Sequence, residues 1–169
     1  MSTKPISMQE WLEYFRQATQ EVVATALKFD TPAKGPKAAR PAPHGKGAAD
    51  DGPHPGAYIA IMSEGASVRL GITASAEGCR AMARSLLGLH PTQDVSESET
   101  GDAVSELMNI IAGKVKSRVS ERDQTLQLGL PTFMKGRVQE TGSMERLAAD
   151  LPVGPVTCQL VVYRSKRPG

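Results

Sequence analysis

Glu106 and Asn109, a carboxylate and a carboxamide three positions apart, are the pair of residues best suited to chemistry in this chain. If residues 102–119 form a helix, both side chains lie opposite the apolar stripe around Val104, at about 100° per residue. Gly113 falls on the same face. Asn and Gly are disfavoured inside a helix, Gly by about 1 kcal/mol relative to Ala. Two such residues on one outward face predict a place where something docks closely.

The positions around this pair extend the predicted docking face. Asp102 lies on the same side of the helix, and Ile110 adds an apolar flank. Gly113 would let the backbone of a partner approach the helix closely. We therefore predict Asp102, Ile110 and Gly113 as partner-binding residues. Periodicity alone leaves a plainer alternative open, which is a solvated helix face on which Asn109 and Gly113 have no function.

The composition predicts a folded domain with an aliphatic core, because hydrophobic residues make up 40% of the chain and aromatic residues only 4%. No run approaches the roughly 20 apolar residues of a membrane-spanning helix. The N-terminus leads into an amphipathic pattern and not into a signal sequence, so we expect a cytoplasmic protein with no membrane partner. Cys79 and Cys158 belong to no CxxC pair, which favours reduced, buried thiols.

The net charge of +2 is confined to residues 31–56, and the rest of the chain is neutral. Since no basic face is interleaved with aromatic residues, we expect no nucleic-acid partner. His44 and His54 lie in the same segment. A metal site there is conceivable, but two solvated histidines are favoured because no other ligand has suitable spacing. We therefore expect no metal bound by this chain.

Local signals divide the chain into four parts. Ser7 and Glu10 have capping-box spacing and predict the start of a first helix. A long stretch rich in Pro, Ala and Gly cannot bury enough apolar surface to fold. The predicted parts are an N-terminal helix (1–30), a flexible linker or insertion (31–56), an α+β domain (57–164) and a basic tail (165–169).

Within the α+β domain, the patterns predict helices between groups of strands. Ser96 and Glu99 again have capping-box spacing, and Gly88 is placed to close the preceding helix. Residues 137–151 should hold one or two further strands whose limits the pattern does not define. The elements predicted with limits are strands 57–63 and 67–73, helices 75–87 and 98–119, an alternating strand Leu126, Leu128, Leu130, and a strand 156–162.

The run from Ser105 to Lys114, Ser-Glu-Leu-Met-Asn-Ile-Ile-Ala-Gly-Lys, closely resembles the Glu-x-x-Asn helix of the CheX-type chemotaxis phosphatases in the CheC/CheX/flagellar-switch superfamily. Leu128-Gly129-Leu130-Pro131-Thr132, followed by Gly136, is similar to the strand that follows that helix. The resemblance covers most of the chain outside residues 31–56. It implies a CheC/CheX-like α+β domain with an antiparallel-rich sheet and long flanking helices.

The resemblance also implies an activity, the dephosphorylation of the phospho-aspartate of a CheY-like response regulator. Carried over, Asn109 would orient the attacking water and Glu106 would pair with a lysine of the receiver. An acyl phosphate is already reactive, and the receiver supplies its own Mg²⁺, so this chain would need no cofactor, nucleophile or titrating base. A carboxamide both donates and accepts hydrogen bonds, and can hold a water without changing its protonation.

CheC-type relatives carry two such helices, but other Glu-x-x-x runs of this chain lack the Asn, so we expect one site per chain. Ser105 stands where relatives often have Gly.

A non-enzymatic receiver-binding or flagellar-switch-like domain on the same fold is the alternative function, and the intact Glu106–Asn109 pair favours the phosphatase. The sequence does not identify the receiver.

A homodimer is the expected assembly. The resemblance implies it, and the strand 156–163 is apolar on parts of both faces, which suits pairing with another chain better than a solvent-exposed sheet edge. The alternative is that the first helix covers the second face of this strand, which carries Val161 and Tyr163. A symmetric dimer would leave the Glu106–Asn109 face of each chain free.

Overall fold

The computed structural model describes residues 4–29, 54–64, 67–136, 138 and 141–165, and these residues form three helices and six strands. The α+β class is therefore confirmed. Most of the predicted linker, the histidine at position 44 and most of the basic tail lie outside the described residues. The elements are α1 (Met8–Ala26), β1 (Gly56–Met62), β2 (Ser67–Thr73), α2 (Ala76–Leu87), α3 (Glu97–Val119), β3 (Gln127–Leu128), β4 (Thr132–Met134), β5 (Met144–Val153) and β6 (Val156–Ser165).

The strands form one antiparallel sheet in the order β3-β1-β2-β6-β5, with β4 also paired to β1. β3 and β4 therefore share one edge of the sheet. Gly56, the last residue of the predicted linker, is the first residue of β1. The predicted strand over residues 126–130 was too long, since only Gln127–Leu128 pair there. Residues 137–151 contain most of one strand, β5.

All three helices contribute to one aliphatic core on a single face of the sheet. Trp11 and Phe15 of α1 are fully buried there with Leu160 of β6. Cys79 and Cys158 are free and buried, as predicted, and burial raises the pKa of the Cys79 thiol to about 11 and of the Cys158 thiol to about 12. Both thiols are therefore protonated at neutral pH. No helix among the described residues is long and apolar enough to cross a membrane.

β6 is an interior strand of the sheet, so the prediction that it pairs with a second chain was wrong. It pairs with β2 on one side and with β5 on the other. α1 packs on the core face of β6, and not on the second face as the alternative had it. The second face holds a small cluster of its own, in which Tyr58, Val161 and Tyr163 are buried beside Met134. Mixed apolarity on β6 thus reflects burial within the chain.

Charged side chains hold α1 against α3 and against the turn that follows α3. Ser7 caps α1, and the Glu10 carboxylate accepts hydrogen bonds from the Ser7 N–H at 2.8 Å and from Arg122 Nη1 at 2.8 Å. About three turns further along α1, the Glu21 carboxylate accepts from Lys114 Nζ at 3.1 Å and from Arg118 Nη2 at 2.5 Å. The two contacts fix the position of α1 along α3.

We predict that Glu10→Gln lowers the thermal midpoint at neutral pH, and that the difference from the unaltered chain disappears in acid. The hydrogen bond from the Ser7 N–H and the Arg122 guanidinium lower the pKa of Glu10 to about 2. The carboxylate therefore stabilises the fold above the ordinary range of Glu, and this contribution is lost as the pH falls from about 4.5 to 2. Thermal melts over this pH range measure it.

Glu13→Gln is the matched control, because the partners of Glu13 among the described residues, Arg16 at 2.6 Å and Gln17, both lie within α1. A Glu10→Gln deficit that stayed constant down to pH 2 would contradict the assigned role of the carboxylate.

Candidate functional site

The rotation of α3 about its axis is set by the residues it buries. Val104, Leu107 and Ile111 are at most 1% exposed and pack into the main core. At the N-terminus, Ser96 Oγ accepts from the Glu99 N–H at 3.1 Å and the Glu99 carboxylate accepts from the Ser96 N–H at 2.9 Å. This capping box satisfies two backbone donors and fixes where the helix begins. The opposite face of α3 must therefore point outward.

The predicted site residues lie together on that outward face. The side chains of Asp102, Glu106 and Asn109 are exposed, and Ile110 is 37% exposed beside them. Gly113 is partly buried, but nothing lies within 4 Å of the point a Cβ would occupy. The structure thus brings all five predicted residues to one helix face.

Glu106 and Asn109 have no hydrogen-bond or ion-pair partner among the residues that the structure describes. Most other carboxylates near α3 are engaged. Glu97 pairs with Lys135, which lowers the pKa of Glu97, and Glu21 is held by Arg118 and Lys114, which lower its pKa. A free carboxylate beside a free carboxamide on a rigid helix can bind a cation and orient a water molecule, without acting as a nucleophile.

An open groove of about 520 Å³ adjoins Glu106, between the first half of α3 and β4. Asp102, Ser105 and Glu106 line it from the helix, and Pro131 and Phe133 line it from the strand. We call it the α3–β4 groove. The sequence reasoning missed it. The Leu-Pro-Thr run was part of the family resemblance, but no local signal showed that it lies across from Glu106.

Gly101 allows the close approach of helix and strand that forms the floor of this groove. A Cβ at Gly101 would lie 3.2 Å from Cδ1 of Phe133. The space that Gly101 leaves lets the half-buried Phe133 ring pack directly on the helix backbone. α3 and β4 are thereby held at a fixed separation.

Metal ligation has no candidate among residues 4–29, 54–64, 67–136, 138 and 141–165, where no group of three or more His, Cys, Asp or Glu side chains is placed to hold an ion. Of the two histidines considered from the sequence, only His54 is described. It is partly buried just before β1 and has an interaction partner.

Comparison with known proteins identifies the family. The family model described as chemotaxis phosphatase CheX matches residues 56–149, which is more than half of the chain. The chain belongs to the CheX family. The matched range includes α3 and both walls of the α3–β4 groove, whereas α1 lies outside it. A comparison with curated protein sequences finds no match.

Solved CheX structures share the fold of this chain. The CheX protein of Desulfovibrio desulfuricans is 18% identical, with a TM-score of 0.65 over 92% of this chain and 99% of its own. The Borrelia burgdorferi CheX, solved in complex with CheY, BeF₃ and Mg²⁺, is 19% identical, with a TM-score of 0.66 over 95% of this chain and 99% of that one. Vibrio vulnificus CheX is 17% identical, with a TM-score of 0.64 over 94% and 97%.

We predict that Gly113→Ala raises the free energy of unfolding by about 0.5–1 kcal/mol, because Ala is the better helix former and its methyl group meets open space. Urea denaturation measures the change. Gly101→Ala is the matched control on the same helix and should gain less or lose stability, since its methyl group crowds Phe133. Equal effects at the two positions would contradict the open space at Gly113.

Proposed function

We propose that this chain is a phosphatase that removes the phosphoryl group from the phospho-aspartate of a CheY-like response regulator. The observation that carries the proposal is the pair of exposed side chains, Glu106 and Asn109, on the face of α3 opposite its buried residues. The chain that carries this pair belongs to the CheX family. The Borrelia burgdorferi CheX, whose complex with CheY is solved, supports a CheY-like partner.

The reaction needs positioning more than reactive groups. Water attacks phosphorus, the bond from phosphorus to the aspartate oxygen breaks, and inorganic phosphate and the aspartate carboxylate leave. Mg²⁺ held by the receiver supplies the charge stabilisation. Asn109 inserts its carboxamide beside the phosphoryl group and holds the water in line. Glu106, one helical turn earlier, pairs with a cation of the receiver and fixes the orientation of the two proteins.

The rigidity of α3 suits this role. An in-line water must be held to within about 0.5 Å, which favours a site on a packed helix over a loop. Asn109 stands between Met108 and Ile111, both fully buried, so its backbone cannot shift without disturbing the core. A carboxamide does not titrate, so the residue that positions the water keeps one protonation state over the working pH range.

We predict that Asn109→Ala lowers kcat for receiver dephosphorylation by about 100-fold or more while binding to the receiver remains measurable. Glu106→Gln should weaken binding as well, because it removes the anchoring charge. The measurements are the loss of phosphate from phosphorylated CheY-like receivers over time, and the Kd for the same receivers activated with beryllium fluoride and Mg²⁺.

Glu121→Gln is the matched control for Glu106→Gln. Glu121 is also exposed and follows the end of α3, away from the α3–β4 groove. It should leave both kcat and Kd unchanged. Full activity in Asn109→Ala would overturn the phosphatase assignment. Binding of the activated receiver without any hydrolysis by the unaltered chain would favour the non-enzymatic alternative.

We also propose that the chain forms a homodimer, through β5 and not through β6. β5 has ten residues and, in the described part of the chain, pairs on one side only. A long edge strand of this kind is suited to pairing with a second copy. β5 lies at the end of the sheet opposite the β3 and β4 edge, where α3 packs, so such a dimer leaves both Glu106–Asn109 faces free.

Sedimentation at micromolar concentration should therefore give about twice the chain mass of 18.0 kDa. A single species of the chain mass at all concentrations would rule the dimer out. Loss of the dimer would leave the phosphatase proposal intact, because every proposed active residue comes from one chain.

A further inference from the structure

The edge of the sheet beside α3 contains a bulge that the sequence pattern does not show. Leu128 of β3 stands opposite Ile61, whereas Thr132 of β4 stands opposite Tyr58. Three residues, 129–131, are therefore opposite two. The Gly129 N–H still donates to the Ala60 carbonyl at 2.8 Å, so the edge follows β1 up to the extra residue. This is a β-bulge, a device that re-aims side chains and is frequent beside active sites.

The bulge turns Leu130 out of the core. In an uninterrupted strand, Leu126, Leu128 and Leu130 would face the same side. Leu126 is buried and Leu128 packs on the core, but Leu130 is 88% exposed. Pro131 follows directly, and proline in a sheet is found at edges and bulges because it has no N–H to donate.

An isolated exposed leucine is ordinary on a protein surface. Leu130 differs in its position, because the next three residues of the chain line the α3–β4 groove. Pro131 lines this groove together with Asp102 and Glu106, neither of which has a partner among the described residues. An apolar projection thus adjoins the acidic side of the proposed active surface.

We propose that Leu130 is a docking residue for the phosphorylated receiver, with the α3–β4 groove as the second half of the receiver-binding surface. This inference rests on the proposed function and extends its interface from one helix to two elements. The receiver is the occupant because the groove is continuous with the Glu106–Asn109 face through Glu106. In addition, the free carboxylates of Asp102 and Glu106 complement the positive charge of the Mg²⁺ that the receiver holds beside its phosphoryl group. Leu130 supplies the apolar contact that discriminates between receivers by the side chains flanking that site.

The test is Leu130→Ser, assayed with the CheY-like receiver that the unaltered chain dephosphorylates fastest. Kd for the receiver activated with beryllium fluoride and Mg²⁺, and KM for the phosphorylated receiver, should both rise about ten-fold, with kcat unchanged. The ratio of the Kd of Leu130→Ser to the Kd of the unaltered chain should not depend on salt concentration, since salt does not screen an apolar contact. The effect of Asp102→Asn on Kd should shrink as salt rises.

Leu87→Ser is the matched control, because Leu87 is 50% exposed at the end of α2 and does not line the groove. The Kd of Leu87→Ser should stay within about two-fold of that of the unaltered chain. The thermal midpoints of Leu87→Ser and Leu130→Ser should both equal that of the unaltered chain. An unchanged Kd and KM for Leu130→Ser would overturn the inference. So would a change in sedimenting mass without a change in receiver Kd, which would make Leu130 a contact between copies of this chain.

The outcomes separate this inference from the proposed function. If Asn109→Ala abolishes turnover but Leu130→Ser has no effect on Kd, only the docking role of Leu130 falls. If Asn109→Ala retains turnover while Leu130→Ser weakens binding, the assignment of Asn109 falls and the groove remains a receiver surface. If the activated receiver does not bind the unaltered chain, both proposals fall.

Discussion

The burial of one stripe of α3 is the constraint on which the rest of the structure depends. Val104, Leu107, Met108, Ile111 and Val115 are essentially inaccessible to solvent, and they pack against the sheet and the other helices. A helix with so many buried contacts has one rotation about its axis, because turning it by a single residue would expose the stripe. Glu106 and Asn109 are outward as a consequence of this packing, and no local interaction of their own side chains is needed to hold them there.

The neighbouring elements restrict α3 in its remaining directions. Glu21 binds α1 to α3, and Glu10 binds α1 to the turn that follows α3. Gly101 sets the distance of α3 from β4 by admitting Phe133. These contacts explain why disfavoured residues are tolerated on the exposed face. Gly113 costs about 1 kcal/mol of helix propensity, a loss that the capping box at Ser96 and the buried stripe can offset. A helix stabilised from behind can present a polar, locally unfavourable surface in front.

Most helices and the central strands could be predicted because their signals are local. Capping boxes at Ser7 and Ser96 and the left-handed Gly88 identified helix ends, and β2 has the limits that its alternation predicted. β6 was predicted to pair with a second chain, but it is an interior strand that pairs with β5. The sequence could not separate the two cases, because a strand apolar on both faces has the same pattern with either neighbour. The limits of β5 were not defined, since its sequence mixes charged residues, alanines and Pro152 without clean alternation.

The site divides in the same way between what is local and what is not. The five predicted residues share one helix, so a period of 3.6 residues is enough to place them on one face. The α3–β4 groove needs Pro131 and Phe133, which reach α3 only through the pairing of β4 with β1. The bulge at residues 129–131 is invisible to a two-residue period, because one inserted residue changes the side to which every later side chain points. Leu130 therefore reads as core in the sequence and lies in solvent in the structure. A partner surface assembled from a helix and a bulged edge strand can be recognised only once the register of that edge is known.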